Sequence, residues 1–352
     1  MVKKILFVVE AMGGGIFTYI VDLANELVNK YDLYIAYAVR PQTPEDYRSY
    51  FDKRIHLIKV KNFICVINPI KDVRACFEIK QIVKRIRPDI IHLHSSKAGA
   101  IGRIALNGSK IPMFYTPHGY SFLMENYTLI KRWIFRMIES ICARKLCMTI
   151  SCSFGEHQET LKLTKYATYV NNGINVSELQ KLVNKVDKIK NHSLTVFTLG
   201  RICYQKRPEM FNKIAKSLPD IKFIWIGDGE LRKKLTAPNI EITGWVERSE
   251  AIKRFVNADI FILTSLWEGL PISLLEAMCL KKLCIVSDVI GNHDVIHNGE
   301  NGFVCRNVSE FVNAIRKFET SKTLILNAYS DIEKEYNTKV MAEHYENIYQ
   351  QA

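Results

Sequence analysis

Ile5-Leu-Phe-Val-Val9 leads into Gly13-Gly-Gly15, and from there apolar residues recur at 16, 20, 23, 24 and 27. A β-rich run, a glycine turn and a helical repeat ending near Val28 make a strand that feeds a helix. Further along, residues 34–39 and 55–60 have strand character, and 73–86 form an amphipathic helical pattern stopped by Arg87-Pro88. Residues 90–93, 113–116 and 148–151 are short buried strands. Strands alternating with helices in this way predict a parallel, doubly wound sheet.

The pattern then begins again. Residues 194–199 run into Gly200-Arg201, and 222–226 meet Gly227-Asp-Gly229; 260–263, 283–287 and 302–305 complete a second set. Residues 177–193 are polar, Lys- and Asn-rich, and suit a hinge. A chain of 352 residues is also too long for one ordinary core. The expected architecture is α/β: one Rossmann-like, doubly wound domain over 1–175 and a second over 176–336. A C-terminal helix over 337–352 would pack back toward the first domain. Ligands of open α/β sheets sit beyond the carboxyl ends of the strands, so a ligand is expected in a cleft between the two.

Composition narrows the function classes. No apolar run approaches the roughly 20 residues of a membrane-spanning helix, and the run after Lys3-Lys4 is too short for a secretory signal. A cytoplasmic location is expected. The nine cysteines are odd in number and form no C-x-x-C pair, which suits reduced, buried thiols. The net charge of +13 is uneven: residues 1–170 hold 25 Lys and Arg against 14 Asp and Glu, and the remainder 24 against 22. A basic first half suits an anionic bilayer or polyanion, or is solvated charge.

Two motifs carry chemistry. In Glu268-Gly-Leu-Pro-Ile-Ser-Leu-Leu-Glu276, Pro271 suits a first helical position, and the helix N-terminus that follows offers free N–H groups to a diphosphate. Glu268 and Glu276 flank that seat and can accept hydrogen bonds from sugar hydroxyls; on spacing alone they are equally a capping and a solvated glutamate. In Gly200-Arg-Ile-Cys-Tyr-Gln-Lys206, a guanidinium and an ammonium follow a strand end, a pairing suited to clamping two phosphates.

These motifs, with Gly227-Asp-Gly-Glu230, Thr116-Pro-His-Gly119, Asn172-Gly-Ile174 and Thr243-Gly-Trp-Val246 in order, resemble family 4 of the retaining glycosyltransferases, enzymes of the GT-B fold. The likeness spans nearly the whole chain. It implies that Arg201 and Lys206 hold the donor diphosphate and Glu276 the ribose hydroxyls. Glu268, with the amides around Gly269, Leu270 and Pro271, would hold the transferred sugar, and the segment ending at Val246 the base. His118 would lie near the anomeric carbon, although a lone His at a strand end is often structural. Gly14 and Gly15 would let the backbone approach the phosphates, or simply make the turn. By the same resemblance the reaction retains configuration at a front face, with no cofactor and no metal. Ile16-Phe17 depart from the polar residue many members carry after the first glycines, so acceptor contacts do not carry over.

Lys131, Arg132, Trp133, Phe135, Arg136, Arg144 and Lys145 interleave basic and aromatic groups within 127–147, which suits a helix lying on a membrane or an ordinary surface helix. The general likeness is to bacterial capsular and exopolysaccharide transferases, including rhamnosyltransferases. The expected partners are a nucleotide-sugar donor (dTDP-L-rhamnose or a UDP-hexose), a polyprenyl-diphosphate-linked saccharide and the anionic inner face of the membrane, with no nucleic acid. A nucleotide-sugar 2-epimerase of the same architecture is the competing reading. A dehydrogenase is disfavoured, because Gly13–Gly15 lacks the G-x-G-x-x-G spacing.

Overall fold

The computed structural model describes residues 2–64, 66–108, 110–187 and 193–352. The chain forms two units, Met1–Asn172 with Thr338–Ala352, and Gly173–Asn337.

The first unit runs β1 (Lys4–Met12), α1 (Gly14–Leu27), β2 (Asp32–Val39), β3 (His56–Lys59), α2 (Pro69–Ile86), β4 (Ile90–His94), α3 (Ser96–Ala105), β5 (Met113–Thr116), α4 (Leu129–Cys142), β6 (Met148–Ser151), α5 (Phe154–Leu161) and β7 (Ala167–Tyr169). Its seven strands lie in the order β3-β2-β1-β4-β5-β6-β7, all pairs parallel. β1 is apolar at every position from 5 to 9 because both its faces are covered. Ile5, Phe7 and Val9 join one core with α1, while Leu6 and Val8 join another with α2 and α3.

The second unit runs α6 (Val176–Val183), β8 (Thr195–Leu199), α7 (Pro208–Lys216), β9 (Lys222–Ile226), β10 (Ile240–Ile242), α8 (Arg248–Val256), β11 (Ile260–Leu263), α9 (Ile272–Cys279), β12 (Leu283–Ser287), β13 (Phe303–Cys305), α10 (Val308–Arg316) and α11 (Lys322–Lys334). Its sheet is β10-β9-β8-β11-β12-β13, also parallel. Of residues 177–193, read as a hinge, 177–183 lie in α6: Asn175 caps the helix by accepting from the Glu178 amide at 3.0 Å, and Leu179 is buried. Residues 188–192 lie outside the described residues.

The last helix, α12 (Thr338–Gln350), belongs to the first unit. Tyr345 and Tyr349 are fully buried there, and their hydroxyls are partnered. Tyr19 donates to Tyr345 at 2.6 Å, and the Tyr349 hydroxyl pairs with His92 Nδ1 at 2.6 Å.

Helix α4 is built the other way round from a normal surface helix. Its buried residues are Glu139 and Cys142, while Ile130, Trp133, Ile134, Met137 and Ile141 are exposed along one stripe. A buried ion pair pins it: Arg103 Nη2 donates to Glu139 at 2.7 Å, and the Tyr115 hydroxyl donates to the same carboxylate at 2.8 Å. Among the described residues no helix is long and apolar enough to cross a membrane. The eight described cysteines are free, and Cys65 lies outside the described residues.

Candidate functional site

In the second unit the strand order reverses between β8 and β11, and open α/β sheets bind ligands at such a point. The loops leaving these two strands carry Gly200–Lys206 and Ser265–Pro271. They are stitched together. Leu266 N donates to Gln205 O at 2.8 Å, and Thr264 Oγ1 donates to Lys206 O at 2.8 Å.

This stitching sets Lys206 against Glu268. The ammonium donates to Glu268 Oε1 at 2.6 Å, both side chains being largely buried. Gln205 Nε2 donates to Trp267 O at 2.9 Å and to Glu268 Oε2 at 3.3 Å. The pair is electrically neutral, so the positive end of α9 just beyond it is left as the local field. The amides of Ile272 and Ser273 lie in a first turn that an α-helix cannot bond internally.

Pro271 is the N-cap of α9 rather than its first helical residue. Its ψ of 121° is extended, so the helix starts one residue later than its sequence implies. Glu276 is buried within α9, and its Oε1 lies 2.8 Å from Arg248 Nη1 without the alignment of a hydrogen bond. Gln205 and Arg248 are partners that the sequence reading missed.

Arg201 takes a different course from Lys206. It is half exposed and pairs with Glu230, Nη2 to Oε2 at 3.0 Å and Nε at 3.1 Å. The loops after β8 and β9 touch backbone to backbone: a Cβ on Gly227 would collide with the Gly200 carbonyl, and one on Gly229 would meet the Ile202 carbonyl carbon at 2.8 Å. Gly227-Asp-Gly229 therefore braces the arginine loop. Trp225 Nε1 donates to Gly200 O at 2.8 Å from the same direction. Val246 is half-buried, next to the exposed Trp245, and Gly227 N donates to Thr243 Oγ1 at 3.2 Å. Gly291 backs Gly269 so closely that a Cβ there would strike the Gly269 carbonyl.

In the first unit the order reverses between β1 and β4. Gly14 opens α1 at φ 57°, the left-handed region that favours glycine, whereas Gly15 is an ordinary exposed helical residue. His118, past the end of β5, has φ 55° and is partly buried. Its Nε2 lies 3.2 Å from His94 Nδ1, the two rings stack, and Tyr19 meets His118 edge-on. Burial pushes the His118 imidazole down to about 3, and burial likewise lowers His92 and His94. Among the described residues no three His, Cys, Asp or Glu side chains come together as a metal-binding set. A shallow cavity of about 360 Å³ beside Pro219, Lys222, Asn239 and Glu241 lies at the amino edge of β9 and β10, away from all these groups.

Residues 13–178 match the model of Glycosyltransferase Family 4, and residues 180–337 that of the Glycosyl transferases group 1. The chain is similar to the UDP-Gal:alpha-D-GlcNAc-diphosphoundecaprenol alpha-1,3-galactosyltransferase of Escherichia coli, 29% identical over 307 residues and covering 78% of each chain. It is 22% identical over 312 residues to the N,N'-diacetylbacillosaminyl-diphospho-undecaprenol alpha-1,3-N-acetylgalactosaminyltransferase of Campylobacter jejuni, covering 80% of this chain and 82% of that one. The sucrose-phosphate synthase structure from Thermosynechococcus elongatus shares the fold, with a TM-score of 0.83 at 15% identity over 99% of this chain and 98% of that one.

Proposed function

The chain belongs to the family 4 glycosyltransferases, and from that premise we infer that it moves a hexosyl or deoxyhexosyl group from a nucleotide diphosphate to a saccharide carried on a polyprenyl diphosphate. The observation that carries this reading is the seat in the second unit: Lys206 on Glu268 at 2.6 Å, directly ahead of the N-terminus of α9. A donor diphosphate entering there shares the Lys206 ammonium and accepts from the first amides of α9. Glu268 then accepts from hydroxyls of the sugar and Glu276 from those of the ribose, with Arg201 exchanging Glu230 for phosphate oxygen.

Transfer proceeds with retention and without a metal. The bond from the anomeric carbon to the leaving phosphate oxygen breaks, and the bond to the acceptor oxygen forms on the same face. The acceptor's hydroxyl proton passes to the leaving phosphate. His118, held neutral by burial, serves as a hydrogen-bonding neighbour of the donor sugar and not as a proton donor.

The names of the two bacterial relatives support a diphosphoundecaprenol-linked acceptor, and the Escherichia coli one supports a UDP-hexose donor. The basic first half and the exposed apolar stripe of α4 support attachment to the anionic cytoplasmic face of the membrane. The test is a transfer assay pairing UDP-hexoses and dTDP-L-rhamnose with a short prenyl-diphosphate-linked sugar, the product's anomeric configuration being read by NMR. Glu276→Ala and Arg201→Ala each lower turnover or donor affinity at least ~10-fold. Full activity in both variants refutes the site, and activity lost to EDTA refutes metal independence.

A further inference from the structure

The first unit carries a second candidate seat, at the carboxyl end of β4. Ser95 follows that strand with φ 78° and ψ 153°, a conformation otherwise left to glycine. It is the N-cap of the ten-residue helix α3, yet its hydroxyl caps nothing. The residue is only 8% exposed, and its Oγ has no hydrogen-bond partner. One residue earlier, His94 is fully buried, with Nδ1 on His118 and Nε2 unpartnered. Buried polar groups without partners are rare and costly unless something fills them. Both sit where β1 and β4 adjoin, Val9 opposite His94, which is the point where this sheet reverses its order.

The charges nearby are already matched. Arg40 is paired with Glu10, and Lys97 reaches Asp72 at 2.7 Å and the carbonyls of Ile64 and Val66 at 2.8 and 2.6 Å. The end of α3 is therefore the uncompensated positive element, and its first-turn amides point toward Ser95. An uncharged hydroxyl would satisfy Ser95 but would make no use of that field. A phosphoryl oxygen does both. Helix α3 packs between α2 and α4, whose outer faces expose Val73 and Phe77 on one side and Ile130 and Trp133 on the other.

We propose that Ser95 and the N-terminus of α3 seat the diphosphate of the acceptor, with the prenyl chain leaving over the apolar faces of α2 and α4. This rests on the reading of a lipid-diphosphate acceptor. Two variants test it: Ser95→Ala removes the hydroxyl, and Ser95→Gly removes it while relieving the backbone strain. A loss shared by both cannot come from misfolding.

With the donor seat saturated by UDP, inorganic pyrophosphate and farnesyl diphosphate are titrated calorimetrically into each protein. In parallel, the acceptor KM is measured with a prenyl-diphosphate-linked sugar. Both variants bind both probes about tenfold more weakly and raise the acceptor KM by a similar factor, with donor KM unchanged. Farnesyl diphosphate binding more tightly than pyrophosphate identifies the lipid as the source; equal binding overturns the prenyl path. Transfer that proceeds with a KM indifferent to Ser95 overturns the seat and leaves the acceptor reading standing. Ser95-dependent pyrophosphate binding in a protein that uses no lipid-diphosphate acceptor keeps the seat and overturns that reading.

Discussion

Gly291→Ala is the perturbation that separates fine positioning at the donor seat from simple stability. Gly291 sits at φ 82°, where a Cβ would strike the Gly269 carbonyl, lie 2.7 Å from its carbon and 3.2 Å from Glu268 Cβ. Clearing the Gly269 carbonyl oxygen moves the Glu268–Gly269 backbone by about 1 Å, and a displacement of that size at a reacting centre costs roughly 100-fold. Gly299 supplies the control, since it has φ 81° and nothing within 4 Å of its would-be Cβ. Both alanine variants bear the left-handed backbone cost of about 1–2 kcal/mol, so both melt a few degrees lower. Only Gly291→Ala loses kcat/KM by roughly 100-fold, measured in steady state against the donor. Equal kinetics in the two variants would refute the idea that the Gly269 backbone shapes the seat.

Two further outcomes concern the first unit. Glu139→Gln leaves Arg103 buried without its carboxylate, and the urea midpoint falls by the equivalent of about 3 kcal/mol; a change near zero would mean α4 is held by other contacts. Burial lowers His92, His94 and His118, whose unfolded imidazoles protonate near 6.5, so the stability they contribute is full above that value and is lost as pH falls below it, for His118 toward about 3. Each contributes a slope of up to about 1.4 kcal/mol per pH unit, and His94→Gln flattens the urea-midpoint curve between about pH 6.5 and 5; an unchanged slope would contradict the burial assigned to it.

What the sequence disclosed follows from where its signals are strong. β1 is apolar at nearly every position because helices cover both faces, and β4 is buried throughout, with Ile90, Ile91 and Leu93 beside His92 and His94; such runs stand out. β7 (Ala-Thr-Tyr) and β10 (Ile-Glu-Ile) escaped notice because each three-residue edge strand is broken by a polar residue and buries no side chain fully, whereas the equally short β13 (Phe-Val-Cys) is wholly apolar. Helix α2 begins at Pro69, four residues before its apolar repeat, since Asn68 caps it and Pro69 suits the first turn. Glu268 and Glu276 were legible as a motif, but Arg248 was not, because nothing local links it to a glutamate 28 positions away. The salt bridges of Arg201 and Lys206 were equally hidden: sequence spacing marks cations near a strand end but does not reveal which carboxylate each one meets.

A crystal structure of the UDP complex tests the central claim most directly. The account requires a diphosphate oxygen within hydrogen-bonding distance of Lys206 Nζ and of the first amides of α9, with Glu276 on the ribose. A diphosphate bound elsewhere, with Lys206 still engaged by Glu268 alone, would contradict it.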